Sequence, residues 1–224
     1  MKKLFLFKRI NKQETFFKNI KRKTKMKKTD VKTQTKWSID QSHSEIGFKV
    51  KHLMISHVKG TFKTFDANVY TYLNDFTTAD IDLWIDVDSI FTGDAKRDEH
   101  LKSADFFDAQ NHKQITFITK EIEKSDTSMD HELWGELTMK GVTKNIKLNV
   151  EFGGMITDPW GNERAGFTVT GKINRSDWGL VWNTVLETGG LMVSDEVNIS
   201  CEVEMVKANE NDLVMKVEPA EEKK

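Results

Sequence analysis

The sequence predicts an all-β fold, because several stretches alternate apolar and polar residues with a period of two. In 81–88, 146–152 and 197–205, every second residue is apolar and nearly all the residues between are polar. Such alternation buries one face of a strand and exposes the other to water. No long amphipathic helix is available to cover these faces, so the strands must cover each other. That requirement predicts a sandwich or a closed barrel.

Nine stretches between residues 37 and 207 have strand character. They are 45–52, 57–65, 67–73, 80–88, 113–122, 131–139, 143–153, 165–174 and 196–206. The stretch from Lys59 to Leu73 is consistent with two strands or with one bent strand. Gly141 favours a tight hairpin between two of the stretches, and the polar run 157–163, which contains Pro159, favours another turn. The connections are therefore mostly short, as in an antiparallel barrel.

Two connections are long, 89–112 and 175–195. The first contains a predicted short helix at 94–103. The second is unusually apolar for a loop, which predicts that it packs on the barrel or over its mouth. Long loops of this kind often form lids or binding loops.

The chain divides into three segments by charge. Residues 1–36 hold fourteen Lys or Arg against two acids and are predicted to be a disordered basic leader. Met26 is the favoured physiological start, and the rival interpretation of the leader is a basic arm for nucleic acid or anionic lipid. Residues 37–207 form the folded body, and 208–224 are predicted to be a disordered acidic tail.

We expect the first residues to form neither an export signal nor a membrane span. The apolar run 4–7 ends after four residues, whereas a signal peptide needs about 7–15 apolar residues. No stretch approaches the roughly 18 apolar residues of a transmembrane helix. We therefore expect a cytoplasmic protein, with a periplasmic location less favoured.

The sequence offers little for catalysis or metal binding. Cys201 is the only cysteine and lies among apolar strand positions, which indicates a small buried hydrophobe. The six histidines show no zinc spacing, and His52 and His57 are interpreted as ordinary strand-end residues. No nucleophile elbow, phosphate loop or dinucleotide fingerprint is present. We predict no catalytic residue, no metal and no cofactor. The acidic body also disfavours nucleic acid.

The barrel interior remains as the candidate site. An eight-stranded barrel either fills itself with side chains or encloses one small ligand, and the residue pattern alone leaves both open. The alternation places mostly apolar residues inside. Members of this inward set include Phe48, Val50, Phe62, Leu83, Ile85, Phe117, Leu137, Leu148, Val150, Phe167 and Val169.

Four ordered blocks, at 37–62, 93–117, 135–152 and 158–197, resemble the YceI-like, lipocalin-like proteins that bind polyisoprenoids. The first block begins "WSIDQSHSEIGF", and the second contains "DEHLKSADFFD". The resemblance implies an extended eight-stranded antiparallel barrel with one or two short helices in its long connections. Two mild departures are the absence of Pro after "DFFD" and the presence of Trp178 where Phe is common.

The resemblance further implies an elongated apolar pocket for an isoprenoid chain, such as a polyprenyl diphosphate or a quinone tail, or for another long amphiphile. Trp178 and Trp182 are added to the predicted lining. The predicted head-group residues, at a mouth formed by the two long connections, are Arg97, His100 and Arg175. The alternative for the arginines is a structural salt bridge with a neighbouring aspartate.

The predicted function is non-catalytic carriage or sequestration of such a lipid. The alternatives are a ligandless structural or interaction barrel and, less favoured, an enzyme acting on a lipid or quinone. Only the resemblance to this family suggests a homodimer.

Overall fold

The structure of the chain is a computed structural model that describes residues 34–124, 130–185 and 191–208. Within these ranges it contains eleven strands and one α-helix. They are β1 (Gln34–Ile39), β2 (Glu45–His52), β3 (Ser56–Phe62), β4 (Phe65–Tyr72), β5 (Asp75–Asp86), β6 (Ile90–Phe91), α1 (Ala95–Lys102), β7 (Gln114–Lys124), β8 (Asp130–Met139), β9 (Val142–Thr157), β10 (Glu163–Asn174) and β11 (Val193–Lys207). No helix in these ranges is long and apolar enough to cross a membrane.

The strands form a closed antiparallel barrel of eight strands, three of which are interrupted. One edge of β11 pairs with β2 along its first part and with β1 near its end, so β1 and β2 follow each other along one barrel position. In the same way, β3 and β4 share one barrel position and β5 and β6 share the next, because β4 pairs with β5 and β3 pairs with β6. β7, β8, β9, β10 and β11 complete the ring. The predicted eight-stranded barrel is therefore confirmed.

The two ends of the barrel differ. One end, here called the hairpin end, carries the turns β4–β5, β7–β8 and β9–β10. The opposite end, here called the helix end, carries α1 and the long β10–β11 connection. Phe106, Trp178 and Leu180 of the two long connections are buried there, and the Trp178 indole N–H donates to the Leu137 carbonyl at 3.1 Å. The helix end is thus closed by packed side chains.

Helix α1 begins at a polar N-cap. The Asp94 carboxylate accepts hydrogen bonds from the backbone N–H groups of Lys96 and Arg97, which have no partner within the helix. Asp98, on the buried side of the helix, accepts from both the backbone N–H and the hydroxyl of Thr92. These bonds fix the short helix, which the sequence predicted at 94–103, against the barrel.

All nine predicted strands are present, with shifted bounds, and β1 and β6 are additional. The stretch from Lys59 to Leu73 forms two strands, β3 and β4, separated at residues 63–64. The hairpin at Gly141 is confirmed, with Met139 paired to Val142. β1 begins at Gln34, three residues before the predicted start of the body. The rest of the predicted leader and the predicted tail from 209 lie outside the described residues.

Candidate ligand-binding lumen

A cavity of about 740 Å³ runs through the barrel. Along β11 its lining extends from Val193 to Met205, which is about 40 Å of strand. Because barrel strands tilt by roughly 40°, this corresponds to about 30 Å along the barrel axis. The volume is that of a typical small-molecule site. The lumen is therefore long and narrow, and its wall is almost entirely apolar.

Of the thirteen side chains predicted to line the lumen, eleven do so. They are Phe48, Val50, Phe62, Leu83, Ile85, Phe117, Leu137, Leu148, Val150, Phe167 and Val169. Period-two alternation was sufficient to find them, because each strand of the barrel has one inner and one outer face. Their contact with a ligand stays a prediction.

Two aromatic side chains lie flat against the lumen wall because they cover glycines on a neighbouring strand. A Cβ at Gly60 would lie 2.3 Å from the Phe48 ring, and a Cβ at Gly135 would lie 2.2 Å from the Phe117 ring. These glycines leave room for rings that would otherwise be displaced toward the axis. The arrangement keeps the middle of the barrel hollow.

An aromatic cluster narrows the lumen toward the hairpin end. Phe76, near the start of β5, reaches across to β10 and β9, with ring centroids 4.8 Å from Phe167 and 5.9 Å from Phe152. Trp37 of β1 packs on the same ring at 4.8 Å. Edge-to-face and tilted contacts of this kind are favourable for aromatic rings. The cluster links opposite sides of the barrel next to the rim.

The exposed part of the lining lies at the hairpin end. Among the described residues that line the cavity, the exposed ones are Asn74, Asp75, Lys124 and Asp130. Hydrogen bonds from Thr77 lower the pKa of the Asp75 carboxyl, and the charges of Lys124 and His131 lower it further. The β4–β5 turn and the adjoining ends of β7 and β8 therefore bring opposite charges together where the lining is exposed. Sequence reasoning missed this rim, because no local motif marks two separate turns as neighbours.

Arg97 was predicted to meet a head group, but it lies outside the lining. Its Nε donates to the Thr92 hydroxyl at 2.7 Å and its Nη2 to the Thr92 carbonyl at 2.8 Å. Arg97 therefore fastens α1 to the segment after β6. The alternative of a salt bridge with Asp98 is also not observed, since that carboxylate is bonded to Thr92.

His100 and Trp182 form an aromatic contact at the helix end, also outside the lining. The His100 ring is perpendicular to the Trp182 ring at 4.7 Å and to the Phe106 ring at 5.1 Å. Its Nε2 lies 3.0 Å from an Asp105 oxygen. Trp178 is buried beside the barrel and likewise does not line the cavity. Both tryptophans were predicted to line the lumen, but Trp178 packs on β8 through its bond to Leu137, and Trp182 packs on the other long connection.

Arg175 lines the closed end of the lumen, but its guanidinium already donates hydrogen bonds to backbone carbonyls. Its Nε donates to the Ser194 carbonyl at 2.9 Å, and its Nη1 donates to the carbonyls of Trp182, at 2.9 Å, and Leu180. Burial lowers the pKa of the guanidinium, and Asp195 partly opposes this shift. Arg175 therefore joins the two ends of the β10–β11 connection, and no salt bridge with Asp177 forms.

A group of potential metal ligands, Asp40, His43 and Glu204, lies on the outer surface. The Arg164 guanidinium already occupies its centre and donates to Asp40, Glu204 and Asp158. Arg164, together with backbone donors, holds the pKa of Asp158 well below its usual range. This group is an ion-pair network that fastens the β9–β10 turn, and it offers no separate ligand site.

Comparison with known proteins gives a consistent result. The YceI-like domain model matches residues 37–205. A UPF0312 protein of Staphylococcus epidermidis is 42% identical over 171 residues, covering 76% of this chain and 96% of that protein. The crystal structure of the Campylobacter jejuni YCEI protein is similar with a TM-score of 0.60 at 35% identity, covering 76% and 96% of the two chains.

A more distant structure has the same fold. It is a polyisoprenoid-binding domain from Saccharophagus degradans implicated in plant cell wall breakdown. Its TM-score is 0.56 at 16% identity, covering 77% of this chain and 98% of that one.

Proposed function

This chain belongs to the YceI-like family, and we propose that its lumen binds one isoprenoid or similar long-chain amphiphile for carriage or sequestration. The observation that carries the proposal is the continuous apolar cavity of about 740 Å³. The Saccharophagus degradans domain of the same fold is a polyisoprenoid-binding domain, which supports the same ligand class here.

Transfer of a hydrocarbon chain into this lumen has a large driving force. Each buried CH₂ group contributes about 0.8 kcal/mol, so one five-carbon isoprene unit contributes about 3–4 kcal/mol. Several units would exceed known affinities if nothing opposed them, and ordering of the flexible chain offsets part of the gain. Affinity is therefore expected to rise with chain length until the lumen is full.

The polar end of the ligand is expected at the hairpin end. Lys124 and His131 can donate hydrogen bonds there, and Asp75 can accept them. Among the described residues that line the helix end, Arg175 offers no comparable site, because its Nε and Nη1 already donate to backbone carbonyls. We therefore assign the head group to the rim of the hairpin end, in place of the mouth predicted from the long connections.

The direct test is the content of the purified protein. Native mass spectrometry after gentle purification, followed by organic extraction, is expected to give a lipid of defined mass bound one to one. Protein that is repeatedly empty, and that takes up no prenol in solution, would contradict the proposal and favour a ligandless barrel.

A matched pair of variants tests whether the ligand lies in the lumen. Val150 lines the cavity, while its neighbour Glu151 is exposed on the outer face. Affinities are measured for farnesol, geranylgeraniol and solanesol, which share a head group and differ in length. Val150→Trp narrows the lumen next to the rim residue His131, so it is expected to weaken the binding of all three prenols, with Glu151→Trp unchanged. Equal affinities for all three proteins would place the ligand elsewhere.

A further inference from the structure

The tip of the β2–β3 hairpin exposes apolar side chains on an unusual backbone. Leu53 and Met54 have φ angles of 50° and 60°, a region that large side chains rarely adopt. Ile55, the next residue, is 85% exposed. A tight hairpin turn of this kind normally carries Asn or Gly, which adopt such angles at lower cost. Solubility and turn geometry would both favour other residues at these positions.

Two further exposed apolar residues lie beside this turn. Val185 and Leu191 face each other in an isolated bridge within the β10–β11 connection. The next residue, Met192, accepts a hydrogen bond from the Leu53 N–H at 2.8 Å, which joins the connection to the hairpin. Met54, Ile55, Val185 and Leu191 are called the apolar tip below. All four side chains are exposed, and the Leu53–Met192 hydrogen bond places the hairpin turn and the connection side by side, so these residues are neighbours on the surface.

Basic side chains face each other directly behind the apolar tip. On the outer face of the hairpin, Lys49 of β2 is paired with Lys59 of β3, and Lys51 is paired with His57. Like charges directly opposite each other destabilise a sheet. Among the described residues, no carboxylate lies within salt-bridge distance of the three lysines. The lysines stand out because the body as a whole is acidic.

Protection of a sheet edge does not account for this arrangement. Lys59 lies on β3, whose outer edge is mostly open, and lysine is a common guard at such an edge. Lys49 and Lys51, however, lie on β2, which is flanked by β3 on one side and β11 on the other. Their charges have no edge to protect, so an anionic partner explains them better.

We propose that the β2–β3 hairpin docks on an anionic lipid bilayer, with the apolar tip at the level of the acyl chains and Lys51 and His57 at the head groups. Apolar side chains flanked by cations are the general composition of interfacial membrane anchors. A second copy of this chain is a poorer partner, because a two-fold contact would bring the same cations together. The inference is independent of what occupies the lumen.

The test uses a fluorescent probe, because the basic leader can itself recruit the full chain to anionic vesicles. Ile55→Cys is labelled with an environment-sensitive dye, and Trp160→Cys, on the β9–β10 turn at the other end and 81% exposed, is the matched control. The native Cys201 stays unlabelled, since it is buried and burial raises the pKa of its thiol to about 11.

The dye at 55 is expected to shift to the blue with vesicles of phosphatidylcholine and phosphatidylglycerol, and the dye at 160 to stay unchanged. No shift at 55, or equal shifts at both positions, would overturn the proposal. A shift without vesicles that grows with protein concentration would also overturn it and identify a second copy as the partner.

Vesicle titrations of the dye-labelled Ile55→Cys protein, followed by the blue shift at position 55, test the two components separately. Lys51→Gln is expected to lower the partition coefficient about fivefold, because one basic side chain contributes about 1 kcal/mol near an anionic leaflet. Lys120→Gln, with the same change in net charge on the outside of β7, is the control. Met54→Asn keeps a residue that tolerates the turn, so its lower partition would report lost apolar contact. Unchanged partition of both Lys51→Gln and Met54→Asn would refute the role of the hairpin.

Discussion

Replacement of Arg175 by methionine separates a structural role for this residue from a role in ligand binding. The change removes donors to three backbone carbonyls, of Ser194, Leu180 and Trp182. Hydrogen bonds to a charged group each contribute about 1.5–3 kcal/mol, and a buried acceptor left without a partner costs about 1–3 kcal/mol. Methionine avoids the desolvation of the guanidinium, which offsets part of this loss.

The net expectation for Arg175→Met is a loss of about 3–5 kcal/mol in the free energy of unfolding. Urea unfolding followed by tryptophan fluorescence measures it, and Arg175→Lys, which keeps the charge but not the planar fork, should recover only part of the loss. Prenol affinity of the folded variant is expected to change little. A variant with wild-type stability and sharply reduced affinity would refute this reasoning and return Arg175 to the head-group site.

Three other predictions concern packing, pH and reactivity. Gly135→Ala should lower the free energy of unfolding, measured in urea, by about 1–3 kcal/mol and should narrow the lumen, because the new Cβ displaces the Phe117 ring. Unchanged stability and unchanged prenol affinity would contradict the packing described. The pKa of Asp158 is lowered in the folded state, so its stabilising contribution is present above about pH 4 and is lost as the pH falls through the folded value. In Arg164→Met, the free energy of unfolding should therefore fall less between pH 7 and pH 2 than in the wild type. An unaltered pH profile of stability would exclude the Arg164 network as the cause of the loss at acid pH. Cys201 should react slowly with a thiol reagent at pH 8, since its thiol pKa is raised to about 11 by burial, and fast reaction of the folded protein would show an open wall.

The barrel was predictable because the alternation of apolar and polar residues that marks its strands is periodic and local. Alternation in 197–205 fixes which side chains of β11 face inward, and the same reasoning located the inward residues of the other strands. The interrupted strands were harder: β6 has only two residues, and β1 begins within the stretch assigned to the leader. β6 is too short to show a period of two. Only three residues of β1 lie before position 37, where the body was predicted to begin.

The ends of the barrel were not predictable in the same way. Arg97, His100 and Arg175 have the residue types of a phosphate site, but each has partners in its own connection. A sequence shows which donors exist and not whether the backbone has already used them. The rim residues Asp75 and Lys124 come from turns about fifty residues apart, and only closure of the barrel makes them neighbours.

Whether an eight-stranded barrel is filled or hollow depends on where its largest inward side chains lie. In this chain, Phe48 and Phe117 lie over Gly60 and Gly135 on adjacent strands, so their rings thicken the wall instead of crossing the axis. Phe76 does cross, but it does so at the hairpin end, where it packs on β9 and β10. The hollow middle therefore depends on small residues beside large ones. In this barrel, Gly60 and Gly135 leave room in the wall for two rings that would otherwise take up lumen volume.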